Sequence, residues 1–397
     1  MSKELKKKNV RFNPAERIGS FTGANDKAGN HTIERFSIGG TDLGMSINIP
    51  NGDTLLLFGD TFSQETPKPE IAGGWRTGAI LRTSDTDLSD GLQIDSAWTR
   101  WGFKDFCFAE NPVDSTHDDG EGSRIYVGGV EVNGNLYAFC FSWNSAAESP
   151  LDRANYGTFI KSTDEGVTWE RVPDLTFVGY SYDKGPGGSG ITVAEMESVV
   201  NRGLKGERNV YNIDIKAHEA YGFTQIYPVD GKDGYIYFFG RGGHPGVGLR
   251  LARVSKEEFE NFKAIEYLIG YENDGSPIWG KNPNDAILIL EGRNRNSSVI
   301  YNKYPQKWVL GYLNCNEGSK YPLEVRHCDN IWGPYSEPSI LFENAGENRN
   351  HYGVYMNERW VDDNGNYYFI YSRWTRSDPY VYRSFIGKGT VDLLDEE

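Results

Sequence analysis

The first stretch of chain able to do chemistry is a hairpin with an aspartate near each end. Gly40-Thr41-Asp42-Leu43-Gly44 opens it, Phe58-Gly59-Asp60-Thr61-Phe62 closes it, and Ile49-Pro50-Asn51-Gly52-Asp53 reads as the turn. With a three-residue loop centred on Asn51, Asp42 faces Asp60 directly, and the Cβ atoms stand about 4.5–5.5 Å apart on one face. A two-residue Asn-Gly loop offsets the pair by one, and Gly59 must then supply a bulge to bring Asp60 round. Either register leaves both carboxyl groups at the same end of the hairpin. Two carboxylates that close cannot both ionise freely, so their pKa values separate. One then holds a proton as general acid while the other attacks or activates water, the division of labour in glycoside hydrolysis. Asp42 is taken first as nucleophile or base and Asp60 as acid, with the roles exchangeable. Aspartates near turns also bind local amides, and hairpin spacing alone leaves the two uses evenly balanced.

Such a pair needs a scaffold, and the rest of the chain reads as strands. Its 397 residues include 24 Tyr, 10 Trp and 47 Gly, a composition suited to pleated surfaces joined by many turns. Asn51-Gly52, Asn133-Gly134, Asp233-Gly234 and Asn364-Gly365 are hairpin turns of the kind that needs positive φ. Helical periodicity is nearly absent. Ser255–Phe262 is expected to form a short helix capped by Ser255, and a second is expected near Val193–Val200.

The strands recur in five similar units, the first over Thr41–Trp98 and the second over Tyr126–Val172. The third begins near Phe223, the fourth near Ser298 and the fifth near Tyr352. Five four-stranded antiparallel units over residues 16–397 predict an all-β, single-domain, five-bladed β-propeller around a central channel. Residues 1–15 are expected to be a flexible basic tail. Residues 179–220, Gly-rich at their start, interrupt the rhythm as an insertion, either a substrate-side lid or a surface excursion. Ser162-Thr163-Asp164-Glu165-Gly166-Val167-Thr168-Trp169 matches the Asp-box that ties the outer hairpin of propeller blades, a structural device.

In this order the motifs resemble a family of five-bladed propellers long known only as a domain of unknown function, which includes bacterial endo-D-arabinanases. The likeness runs through Phe21-Thr22-Gly23, the two Asp motifs, Gly74-Trp75-Arg76, the Asp-box and Leu249–Val254. It continues through Ser298–Asn302, Trp332–Ser336, Tyr352-Gly353, Tyr371–Trp374 and Pro379–Tyr382. The resemblance implies that Asp42 and Asp60 are the catalytic carboxylates of a glycoside hydrolase. The chain departs from the pattern at Arg124-Ile125-Tyr126-Val127 and in the insertion, both of which would remodel the cleft.

Further substrate-binding candidates are Trp75 and Arg76, a pair able to stack on and hydrogen-bond a sugar. Gln225, Ser298 and Tyr352 start inner strands, Arg241 lies in a Gly-rich bend, and Arg373 and Trp374 end the fifth unit's second strand. The six His and four Cys (Cys107, Cys140, Cys315, Cys328) show no metal-ligand spacing, so no metal or cofactor is expected.

A formal net charge of −15 argues against nucleic acid or an anionic membrane as partner. No stretch approaches eighteen consecutive apolar residues, so no membrane insertion is expected. The first thirty residues lack the apolar run of a secretory signal. A cytoplasmic, virion-associated or otherwise exported setting is expected from that, with the oligomeric state open. The expected partner is a polysaccharide or oligosaccharide, cleaved at internal furanosidic linkages of an arabinan-type or related cell-envelope glycan. Two other functions compete: a non-catalytic carbohydrate-binding propeller, and a sialidase-like exo-enzyme.

Overall fold

The first hairpin turns through residues 50–52. The Ile49 amide donates to the Asp53 carbonyl at 2.8 Å and the Gly52 amide to the Ile49 carbonyl at 3.1 Å. Gly52 has a φ of 112°, which a Cβ would oppose. The loop is therefore the three-residue one, with Asn48 opposite Thr54 and Met45 opposite Leu57. The computed structural model describes residues 9–65, 73–114, 120–144, 153–179, 191–243, 248–316, 321–343, 349–375 and 380–394.

The same hairpin logic repeats four more times to give a five-bladed β-propeller of antiparallel sheets. Blade one is Gly40–Asn48, Thr54–Phe62, Ala79–Thr83 and Ser96–Thr99, with Gly102–Lys104 at its edge. Blade two is Ser123–Val132, Asn135–Trp143, Ala154–Ser162 and Glu170–Val178. Blade three is Gln225–Asp230, Tyr235–Arg241, Leu249–Ser255 and Glu266–Tyr271, extended by Pro277–Gly280 and Leu288–Leu290. Blade four is Asn294–Asn302, Lys307–Asn314, Leu323–Cys328 and Ser339–Phe342, and blade five begins with Arg349–Val361, Asn366–Thr375 and Val381–Leu394. The five innermost strands touch in cyclic order, the fifth returning to the first.

Ring closure is supplied from the other end of the chain. Asn9–Phe12 and Glu16–Ser20 both pair with Val381–Leu394 and form the outer edge of blade five. The segment expected to be a flexible tail thus contributes a strand from residue 9 onward, and residues 1–8 lie outside the described ones. Phe12 is buried there, against the rings of His327 and Tyr367 at 5.4 and 5.7 Å.

Between blades the apolar faces meet in aromatic layers. Phe159 packs edge-on to Phe139 at 4.9 Å and against Phe238 at 5.5 Å, joining blades two and three. Each such ring removed from water contributes roughly 1.5–3 kcal/mol. The Asp-box holds the outer turn of blade two. Asp164 accepts from the Thr168 amide (2.8 Å) and hydroxyl (2.7 Å), and the Trp169 indole donates to the Gly166 carbonyl at 2.9 Å. Asn51 Nδ2 donates to Glu165 Oε2 at 3.0 Å. The box therefore sits beside the turn of the first hairpin, at the end opposite the aspartates.

Two expected helices fare differently. Val193–Val200 is an α-helix with a full capping box between Thr192 and Glu195. Over Ser255–Phe262 there is no α-helix. Successive turns through Glu258, Asn261 and Ala264 carry the chain, because Phe259 has to tuck into the core against Tyr137 at 4.5 Å.

Candidate active site

Asp42 and Asp60 are brought together by two bulges that cancel. Between the Thr41–Thr61 pair and the Leu43–Phe58 pair the second strand has one extra residue; between Leu43–Phe58 and Met45–Leu57 the first strand has one. Leu43 and Gly44 absorb the detour at φ 65° and 132°. Blade five pins it: the Leu43 amide donates to Ser372 Oγ at 3.1 Å, and Ser384 Oγ donates to the Thr41 carbonyl at 3.2 Å. Across the hairpin the Thr41 and Thr61 hydroxyls meet at 2.9 Å. The Asp42 carboxyl lies over Gly59, where an added Cβ would come within 2.4 Å of Oδ1.

Both residues are half-buried, and their carboxyl groups are deep enough for burial to dominate their ionisation. Burial pushes Asp42 well above the usual carboxylate range, and the charge of Asp60 pushes it further. The Tyr382 hydroxyl, the Arg295 guanidinium and the Asp60 amide pull it partly back. Its Oδ1 is buried without a hydrogen bond. Burial raises Asp60 from 3.8 to about 6, opposed by the Trp75 indole N–H, which donates to Oδ1 at 3.2 Å. An indole N–H can only donate, so it favours the ionised form of Asp60; a tyrosine hydroxyl can also accept, so it tolerates a protonated Asp42. These partners weight a shared proton toward Asp42. Of the two role assignments that the sequence leaves open, this favours Asp42 as acid and Asp60 as base.

Three of the other sequence candidates gather round this pair. Trp75 is 41% exposed, its ring open to solvent while its nitrogen holds Asp60. Trp374 faces Tyr382 across paired strands, ring centroids 6.3 Å apart, and Phe62 meets Tyr382 edge-on at 5.3 Å. Tyr352 is electrostatically coupled to Tyr382 and carries the Arg295 guanidinium 5.6 Å from its ring centroid.

Of the remaining five, four spend their polar groups on the scaffold. Arg76 is buried, donates to the carbonyls of Gly74 (3.0 Å) and Ser37 (2.9 Å), and lies 4.3 Å over the Phe108 ring. Gln225 and Arg241 are paired strand neighbours, both buried, bonded at 2.7 Å through Gln225 Oε1. Ser298 Oγ donates to the Val354 carbonyl at 2.6 Å and accepts from the Met356 amide at 2.9 Å, stitching blade four to blade five. Arg373, next to Trp374, is on the opposite face of its strand and lies 5.9 Å from the Phe385 ring.

Arg295, Tyr382, Tyr355 and Ser372 complete the site and were not singled out from the sequence. Tyr382 and Ser372 lie inside quoted motifs. Arg295 precedes the strand read as starting at Ser298, and only the run Asn294-Arg295-Asn296 ahead of it hinted at an earlier start. Tyr355 is buried within electrostatic range of Tyr227, Asp42, Arg241 and Arg295, so four blades converge here. Among the described residues no group of three or more His, Cys, Asp or Glu could hold a metal ion.

The insertion stands on the same end of the propeller. It leaves after Val178, which closes the outer strand of blade two, and returns at Gln225, where an inner strand begins. Residues 180–190, which hold its Gly-rich run, lie outside the described ones. From Ile191 on it is bolted to blade two. Arg124 Nη1 donates to the Gly203 carbonyl at 2.7 Å, and Glu121 accepts from Arg124 (3.0 Å) and Arg202 (3.1 Å), all three buried. Arg171 caps the end of the helix through the Val200 carbonyl at 2.5 Å and the Arg202 carbonyl at 3.0 Å.

One solved structure supports the architecture. A putative hydrolase from Bacteroides ovatus is similar over 92% of this chain and 89% of its own, at 13% identity and a TM-score of 0.57. The α-L-arabinofuranosidase of Podospora anserina, solved with cellotriose, aligns over 96% and 97% at 12% identity and a TM-score of 0.46. The GH62 α-L-arabinofuranosidase catalytic domain of Coprinopsis cinerea aligns over 96% and 97% at 9% identity and a TM-score of 0.45. No curated protein matches the sequence. No helix among the described residues is long and apolar enough to cross a membrane. The family model described as "Domain of unknown function (DUF4185)" matches residues 27–386, and the chain belongs to that family.

Proposed function

We propose that the protein is a glycoside hydrolase that cleaves internal furanosidic linkages of an arabinan-type or related cell-envelope polysaccharide. The observation that carries this reading is the buried Asp42–Asp60 pair, whose proton affinities are split by burial, mutual charge and unlike hydrogen-bond partners. Asp42 donates its proton to the glycosidic oxygen, so the leaving sugar departs neutral while the C–O electron pair stays on that oxygen. Asp60, ionised, attacks the anomeric carbon or takes a proton from the water that does. Trp75 offers its exposed ring as a stacking surface for a sugar face. The furanosidic choice rests on the ordered motifs that resemble the arabinanase family, not on the fold, which hosts many functions.

The test is incubation with arabinogalactan, lipoarabinomannan and plant L-arabinan, followed by analysis of released oligosaccharides. The wild type should release them from at least one, and Asp42→Asn and Asp60→Asn should each lower turnover by about 10²-fold or more. Sugar binding and folding should survive both changes. Retained binding with no hydrolysis by the wild type would instead make this a carbohydrate-binding propeller.

A further inference from the structure

The innermost strand of blade four begins irregularly. Its pairing with Lys307–Asn314 slips between Arg295 and Ser298, and Asn296 sits at φ 53°, a left-handed value that an asparagine adopts more readily than most residues. The detour is held on both sides. Upstream, Arg241 Nη1 donates to the Asn294 carbonyl while its Nη2 is fixed by Gln225 Oε1 at 2.7 Å. Downstream, the Asn296 amide donates to the Tyr227 hydroxyl at 3.1 Å. Arg295 lies between these two anchors, its guanidinium against Tyr352 and its Nε buried without a hydrogen bond.

We infer that Arg295 is the positioning cation of the carboxylate pair, turned into the channel mouth by this bulge and aimed there by the buried Gln225–Arg241 pair. The inference rests on Asp42 and Asp60 being the reacting groups. When Asp42 gives up its proton to the leaving oxygen, a carboxylate is created beside Asp60, which is costly in a buried site. A fixed guanidinium offsets that new charge without reorganising. It makes Asp42 a stronger acid at the moment of bond breaking. Gln225 and Arg241, bonded to each other and, through Arg241, to the strand, act one step further back by fixing where Arg295 points.

The groups that face the pair come from three blades. Asp42 feels Asp60, Tyr382, Arg295 and Tyr355. Arg295 in turn has Arg241 from blade three and Cys315 from the end of blade four's second strand as neighbours. Among the described residues it is the cation that acts on Asp42, so its removal should be read there.

The experiment is titration of Asp42 by NMR on protein labelled with ¹³C at the aspartate carboxyl carbons, assigned by the signal lost in Asp42→Asn. In Arg295→Gln the Asp42 midpoint should rise by about one pH unit, roughly a tenfold gain in proton affinity. Turnover should fall with KM little changed. In Arg295→Lys, which keeps the charge, the midpoint should stay with the wild type, and this variant carries the test if the glutamine variant does not fold. An unmoved midpoint in Arg295→Gln, or a rise in Arg295→Lys, overturns the inference. The titration needs no substrate. A shifted midpoint in a protein that cleaves no glycan would leave the role of Arg295 standing and sink the hydrolase reading, and the reverse pattern would do the opposite.

Discussion

Asp42 Oδ1 occupies the space that any side chain at position 59 would need, with only 2.4 Å between it and an added Cβ on Gly59. The backbone of Gly59 has no positive φ, so the constraint is room rather than conformation. Gly59→Ala should therefore fold, at an overpacking cost of about 1–3 kcal/mol. Its methyl group would swing the carboxyl away from Asp60. The expected result is a small drop in melting temperature with a loss of turnover far larger than the stability change explains. Near-normal hydrolysis would show that the placement of Asp42 over Gly59 is incidental.

Closure of the ring offers a second check. Phe12 is 4% exposed and wedges the first strand of the chain between blades four and five. Phe12→Ala removes the wedge and should cost about 3–5 kcal/mol. Because the strand it anchors covers the edge of Val381–Leu394, the variant should also show faster amide exchange in that strand and a greater tendency to aggregate. Unchanged exchange there would mean the N-terminal strands are dispensable.

The insertion should behave as a fixed wall of the cleft. Glu121→Gln leaves Arg124 and Arg202 buried without their carboxylate, a change worth about 3–5 kcal/mol when one partner of a buried pair is removed. The loss should be localised: hydrogen exchange over residues 191–220 should accelerate before the blades loosen, and substrate affinity should change with it. Uniform protection across blade two and the insertion would argue that the network is not what holds them together.

These features differ in how far they could be read ahead of the structure. The first hairpin was legible because its register near the turn is set by the loop around Asn51, whereas the two cancelling bulges beside Asp42 and Asp60 left no mark in the alternation. The blades were legible for the same reason. Asn9–Phe12 was not, because its partner strand lies at the far end of the chain and its own composition is that of a basic tail. Arg295 escaped because its bulge destroys the alternation that marks a strand, and a site built on strain reads as a loop. Gln225 and Arg241 show the converse. The position of Gln225 at the head of an innermost strand pointed at the channel, but direct pairing with Arg241, in the bend that ends the next strand, turned their polar groups on each other.

The raised carboxylates make one further demand, on stability against pH. In the unfolded chain Asp60 ionises near 3.8, and in the folded protein near 6. Between those values the folded state holds a proton that the unfolded state has released, so stability falls as pH rises through that window and stays low above it. Asp42 is raised as well, so its contribution has the same sign and extends to higher pH. Asp60→Asn removes the buried charge and should be more stable than the wild type at pH 7–8, by on the order of 1–3 kcal/mol, while matching it near pH 4. Under the proposed roles, activity should follow the same two groups in opposite directions, rising through pH 6 as Asp60 ionises and falling as Asp42 loses its proton. Trp75→Phe deletes the donor that favours ionised Asp60, so its acid limb should move to higher pH with the alkaline limb in place. Thermal melts of Asp60→Asn across pH 4–8, beside the pH–rate profile of Trp75→Phe, measure both. A variant no more stable at pH 8 than the wild type, or an acid limb that stays put, would show that the pair is not strained in the way its burial and partners imply.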